Sequence, residues 1–107
     1  MRTRTERPGY VQMLETAEMS AADARDSGNN SKAVALYERA ICQFNKVLRM
    51  RSDLVELVRS VNRSLADCHR RLAGCHRALG NQSAADESSR AATLCDEMAE
   101  RAGATVS

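Results

Sequence analysis

Small and apolar side chains recur along this chain at spacings of three and four, the repeat that places them on one face of an α-helix. The first run is Tyr10, Leu14, Ala17, Ala21 and Ala24, closed by Gly28, Asn29 and Asn30. A second stripe, Ala33, Tyr37, Ala40, Phe44, Val47 and Leu48 with Ile41 beside it, predicts a second helix with Ser31 as its N-cap. The link between them is short, so these helices are expected to be antiparallel neighbours. A third run, Leu54, Val58, Val61, Leu65, Cys68, Leu72, Cys75 and Leu79, alternates spacings of four and three through more than three heptads. Ser52 or Asp53 is the candidate cap at its start, and Gly80-Asn81 marks its end. The fourth run is Ala84, Ser88, Ala91, Cys95, Met98 and Ala102, with Gly103 as the expected stop.

Pro8 is the single proline, so nothing beyond it forbids long helices. The pattern predicts an all-α fold, an antiparallel bundle of about four helices forming one domain over residues 10–103. Residues 1–9 are expected to be a disordered head and residues 104–107 a frayed tail. At 107 residues the chain has room for one modest core. Aromatic residues are only 3% of it, so that core must rest on Leu, Val, Ala, Met and Cys, a set that suits closely packed helices better than a sheet. The first and fourth helices present mainly small residues, so the fourth is expected to bury the least apolar area per turn.

Charge refines this picture. The net charge is +2, yet residues 1–40 are balanced, residues 41–80 carry an excess of five cations and residues 81–107 an excess of three anions. The middle of the chain therefore offers a basic stripe, Arg59, Arg63, Arg70, Arg71 and Arg77, suited to an acidic partner segment or the acidic surface of a microtubule. The alternative is a solvated face partly neutralised by Asp86, Glu87, Asp96, Glu97 and Glu100 of the fourth helix. So small a net charge, with the aromatic residues on other segments, argues against nucleic acid.

Cys68-His69 is repeated at Cys75-His76. Seven helical residues rise about 10.5 Å, too far for one tetrahedral zinc site, and no Cys or His has a partner three or four positions away. Buried structural cysteines at seam positions are the expectation, with the histidines one step round toward the rim. No paired carboxylates, nucleophile elbow or phosphate loop is present, so neither an enzyme nor a cofactor is expected. No apolar run is long enough to span a bilayer, and Met1–Pro8 is polar and Arg-rich without an apolar stretch behind it. A cytoplasmic protein not integral to a membrane, with its cysteines reduced, is expected.

The string SKAVALYERAICQFNKVLRM, preceded by ETAEMSAADARDSGN, resembles the first hairpin of the microtubule-interacting and trafficking domain. There an Ala-rich helix and a Gly-containing turn precede an A-x-x-x-Y-x-x-A helix, matched here by Ala21, Gly28, Ala33, Tyr37 and Ala40. The resemblance spans residues 12–79 and implies a non-enzymatic module that takes tails of membrane-remodelling proteins in grooves lined by the third helix. That family usually stops at three helices, so residues 82–102 are a departure. The same hairpin also resembles a tetratricopeptide unit, and Leu72, Ala73, Gly80, Ala85 and Ala92 repeat much of its pattern. The two glycines are 52 positions apart rather than about 34, which the central helices would have to absorb as extra length. The leading expectation is therefore the trafficking-type module, with a tetratricopeptide-like adaptor as the alternative. A structural subunit that dimerises through the third helix's heptad seam is the other alternative. The packing of residues 82–102 separates the first two: beside the third helix, leaving a concave face of helices one and three, they favour the adaptor.

Overall fold

The computed structural model describes residues 8–104, and within them the chain is four helices with no strand. These are α1 Gly9–Asp26, α2 Asn30–Met50, α3 Val55–Ala78 and α4 Gln82–Ala104. The expected all-α architecture of four helices is the observed one. Of the expected head, Gly9 is already helical, and residues 1–7 lie outside the described residues; of the expected tail, Ala104 still belongs to α4, and residues 105–107 lie outside.

Local chemistry sets the ends of the helices. Gly28 takes φ +68°, a left-handed conformation that costs glycine little, and turns the chain out of α1. Asn29 then caps α2, its side chain accepting a hydrogen bond from the Lys32 amide at 3.0 Å. Ser31, the expected cap, sits inside the first turn, because the turn at Gly28 already presents Asn29 in extended backbone with its carboxamide over the free amides. Neither Ser52 nor Asp53 caps α3 either. Arg51 holds the Asp53 carboxylate through two hydrogen bonds of 2.9 and 2.8 Å, and that guanidinium brings the carboxyl pKa down to about 2. Leu54 occupies the N-cap position with no side-chain acceptor. Arg51 also lies over the Tyr10 ring at 5.2 Å, tying the start of α1 to the α2–α3 link. At the far end Gly80 (φ +83°) closes α3, with its amide bonded to the Arg77 carbonyl and the Asn81 amide to the His76 carbonyl.

Packing runs in chain order: α1 on α2, α2 on α3, α3 on α4. Within each of the pairs α1–α2 and α3–α4 the cross-contacts pair the start of one helix with the end of the other, Gly9 against Met50, Ser89 with Arg77 and Asp96 with Arg70 further in, so both pairs are antiparallel. The shape is a slab, 53 × 36 × 17 Å, rather than a cylinder. Two buried stripes on α3 explain this. Val61, Leu65, Cys68 and Leu72 join the core cluster with α1 and α2, whereas Asn62, Ala66 and Ala73, about 100° round the helix, are the buried set on the side of α4. Thus α2 and α4 both underlie α3, and α1 lies beside α3 across α2.

The α4 face differs from expectation by one position. Ala85, Ser88, Ala92 and Ala99 are buried, and Met98 is 48% exposed. Alanines at 84 and 85 and at 91 and 92 make the two faces equivalent by composition. The heptad Ala85, Ala92, Ala99 lets α4 approach Ala66 and Ala73 closely, which a face containing Met98 would prevent. Gly103, the expected stop, is helical, and the Arg59 guanidinium lies 3.0 Å from the position a β-carbon there would take. The α3 heptad seam is buried from Val61 to Leu72, so those positions are filled within the chain, while Leu79 is 42% exposed.

Candidate functional site

Because α1 and α3 lie side by side over α2, a groove runs between them. Its larger part, about 590 Å³, has Glu18, Ala21 and Arg25 of α1 on one wall. Glu56, Arg59, Ser60, Arg63, Ser64, Asp67 and Cys68 of α3 form the other, and Phe44 of α2 lies at the floor. A further 310 Å³ continues past Arg25 to Gly28, Ala33, Tyr37, Arg71, Gly74 and Cys75. From Glu56 to Cys75 the α3 wall is about 28 Å long, the reach of about eight extended residues or five helical turns.

The floor is closed by packing. Phe44 is 1% exposed and Tyr37 3%, both held by the core between α1 and α3. Burial raises the Tyr37 phenol pKa, and Arg71, close to that hydroxyl, opposes the rise. Ser20 donates to the Gln43 carboxamide at 2.8 Å, fixing α1 on α2 and with it the groove's width.

The five arginines of the basic stripe do not act as one surface. Arg59 and Arg63 line the groove; Arg59 pairs with Glu56 at 3.5 Å, and its Nε is buried without a partner. Arg70 is bound to Asp96, and Arg77 donates to the Ser89 hydroxyl at 3.2 Å, so both bind α4 to α3. Arg71 pairs with Asp67 at 3.0 Å and faces the Tyr37 end of the groove. Arg63 stands at the crest, shared between the groove and a shallow cavity with Arg70, Asp96 and Glu100. The sequence reading missed Arg25, Glu18 and the serines Ser60 and Ser64; only the side-by-side placement of α1 and α3 brings them to one cleft. With Glu56 and Asp67 taken by Arg59 and Arg71, Arg25 and Arg63 are left facing the cleft from opposite walls with no ion pair among the described residues.

No protein-family model, curated protein or solved structure matches this chain. Its geometry alone speaks for its function. Among the described residues no group of three His, Cys, Asp or Glu is placed to hold a metal ion. His69 and His76 are half-buried on the flank of α3 between its two packed stripes, each with Nδ1 buried and unpaired, and burial lowers the His69 pKa. Burial likewise pushes the Cys68 thiol up to about 11 and raises Cys75 and Cys95, the opposite of what a reactive thiolate needs. Cys42 alone is exposed. Thiol titration of the native chain is expected to modify Cys42 first and Cys68 only on unfolding, as mass mapping of the labelled peptides will show; early labelling of Cys68 contradicts the buried seam.

Proposed function

We propose that the chain is a non-enzymatic adaptor that takes a helical or extended segment of a partner protein into the α1–α3 groove. The carrying observation is that α4 packs on α3 away from α1 and lends no residue to the lining of the cleft between α1 and α3, which stays open. That arrangement favours the tetratricopeptide-like alternative over the three-helix trafficking-type module, since the fourth helix completes a second hairpin. The long α2 and α3, 21 and 24 residues, absorb the wide spacing between the two turn glycines.

An acidic or mixed-charge segment suits the lining. Arg25 and Arg63 reach in from opposite walls, Ser60 and Ser64 add hydroxyl donors one turn apart, and Glu18 sets a preference for a cation at one end. The test is photo-crosslinking in native lysate from position 64 in the groove and from position 35 on the exposed back of α2, followed by mass spectrometry. A specific partner is expected from position 64 alone. Arg25→Glu with Arg63→Glu is expected to weaken its binding at least tenfold, since a hydrogen bond to a charged group contributes about 1.5–3 kcal/mol. Equal crosslinking from both positions, or full affinity in the folded double variant, removes the groove as the binding site.

A further inference from the structure

The 310 Å³ end of the groove is lined by donors and by no carboxylate. Arg25 enters it from α1, Arg71 from α3 and Tyr37 from α2. Burial raises the pKa of the Tyr37 phenol and of the Cys68 thiol, and both arginines oppose each rise, so the two guanidiniums stand around one spot although they come from different helices. Arg71 meets Asp67 through Nε, which leaves the outer end of its guanidinium open, and Arg25 has no ion pair among the described residues. Tyr37 is 3% exposed, and Arg71, which stands beside its hydroxyl, can only donate, so the phenol's own proton has no acceptor among the described residues. Asn30, the first residue of the 21-residue α2, borders the same space and brings the positive end of that helix's dipole to it.

Gly74 is an independent sign. It lies in the interior of α3, where glycine weakens a helix relative to alanine, and its conformation does not call for glycine, since only Gly28 and Gly80 take positive φ. A β-carbon at position 74 would meet nothing within 4 Å, so no packed neighbour forbids a side chain there either. Yet Gly74 lines this same pocket. A bare wall position that neither conformation nor packing requires keeps room for a group that enters from outside.

We propose that this pocket binds a phosphate monoester carried by the partner segment in the groove, an inference that rests on the groove being the binding site. A phosphorylated side chain has close to two negative charges at neutral pH and three strong acceptor oxygens, which match two guanidiniums, a phenol proton and the head of α2. A carboxylate brings about half that charge and one oxygen fewer. Arg25 borders both parts of the groove, so the segment runs on from its phosphate toward Arg63 and Glu18. A nucleic-acid strand fits less well. It is charged at every step and would meet Glu18, Glu56 and Asp67 in the larger part, which a peptide with one phosphate avoids.

The test uses the immobilised full-length chain and two decapeptide libraries with random flanks, one with phosphoserine at the centre and one with serine, together with O-phosphoserine alone followed by amide NMR shifts. The phosphorylated library is expected to be held at least about tenfold more tightly, the factor that one hydrogen bond to a charged group supplies. O-phosphoserine is expected to bind more weakly than the library and to shift the amides at Gly28 to Asn30 and at Gly74. Arg71→Gln and Gly74→Leu are each expected to erase the difference between the libraries, while the Gly74→Leu chain keeps helicity and a Tm at least equal to that of the unaltered chain. Gly74→Ala serves if leucine disturbs the fold, and is expected to narrow the difference with Tm raised. Equal retention of the two libraries overturns the phosphate site and leaves the groove standing. Retention of neither library overturns the proposal together with the groove: with amide shifts from O-phosphoserine the pocket is a site for a free small molecule, and without them it holds no phosphate. A difference undiminished in the folded Arg71→Gln and Gly74→Leu chains puts the phosphate elsewhere and equally overturns the assignment.

Discussion

Phe44→Ala is expected to destabilise the chain by about 3–5 kcal/mol, seen as a large fall in the denaturant midpoint and in Tm. Phe44 is the largest side chain that is fully buried, and it stands at the point where α1, α2 and α3 converge. The core cluster it belongs to is rich in Ala17, Ala21, Ala40 and other small residues, side chains too short to collapse into the space its ring would leave. A small domain has only about 5–15 kcal/mol in total, so one substitution removes a large share of it. The same ring lies under the groove, and the surviving folded fraction is expected to hold a partner poorly. Phe44→Leu keeps most of the volume and is expected to lose less than about 1.5 kcal/mol. A loss as small for Ala as for Leu would mean that the three helices do not meet there.

Leu65→Ala is expected to cost about 2–5 kcal/mol. Leu65 is 2% exposed and lies in the stripe of α3 that packs into the core with α1 and α2. Its neighbour Ala66, 0% exposed, belongs to the stripe on the side of α4. The two residues therefore guard different interfaces: the Leu65 change loosens the hairpins from one another, whereas α3 and α4 keep their tight alanine contact. Hydrogen exchange is the discriminating measurement. Amides of α1 and α2 are expected to lose protection in Leu65→Ala before those of α3 and α4. Uniform loss across all four helices would show instead that the two hairpins unfold only together.

Stripes at three and four, two glycines followed by asparagine and a chain with one proline were enough to read four helices and their order. That information is local: a helix follows from the spacing of its own residues and from the backbone freedom of the glycines that end it. The cap positions were less legible because Ser31, Ser52 and Asp53 are all chemically able to cap. The choice fell to Asn29 through the turn before it, and Asp53 was withdrawn by Arg51.

The candidate site lay further from reach. Arg59, Arg63, Arg70, Arg71 and Arg77 read as one basic stripe because they crowd one side of a single helix, yet α4 takes Arg70 and Arg77 and Asp67 takes Arg71. Arg25, which completes the cleft, is 38 residues from Arg63 and belongs to another helix. What the amino-acid order determined by itself was which segments coil and which of their faces avoid water. The tertiary structure alone decided that the helices lie in two layers, α1 and α3 over α2 and α4. Helix pairing is chosen by the fit of small side chains against large ones across distant segments, and a periodic stripe records only that a face is buried, never against what.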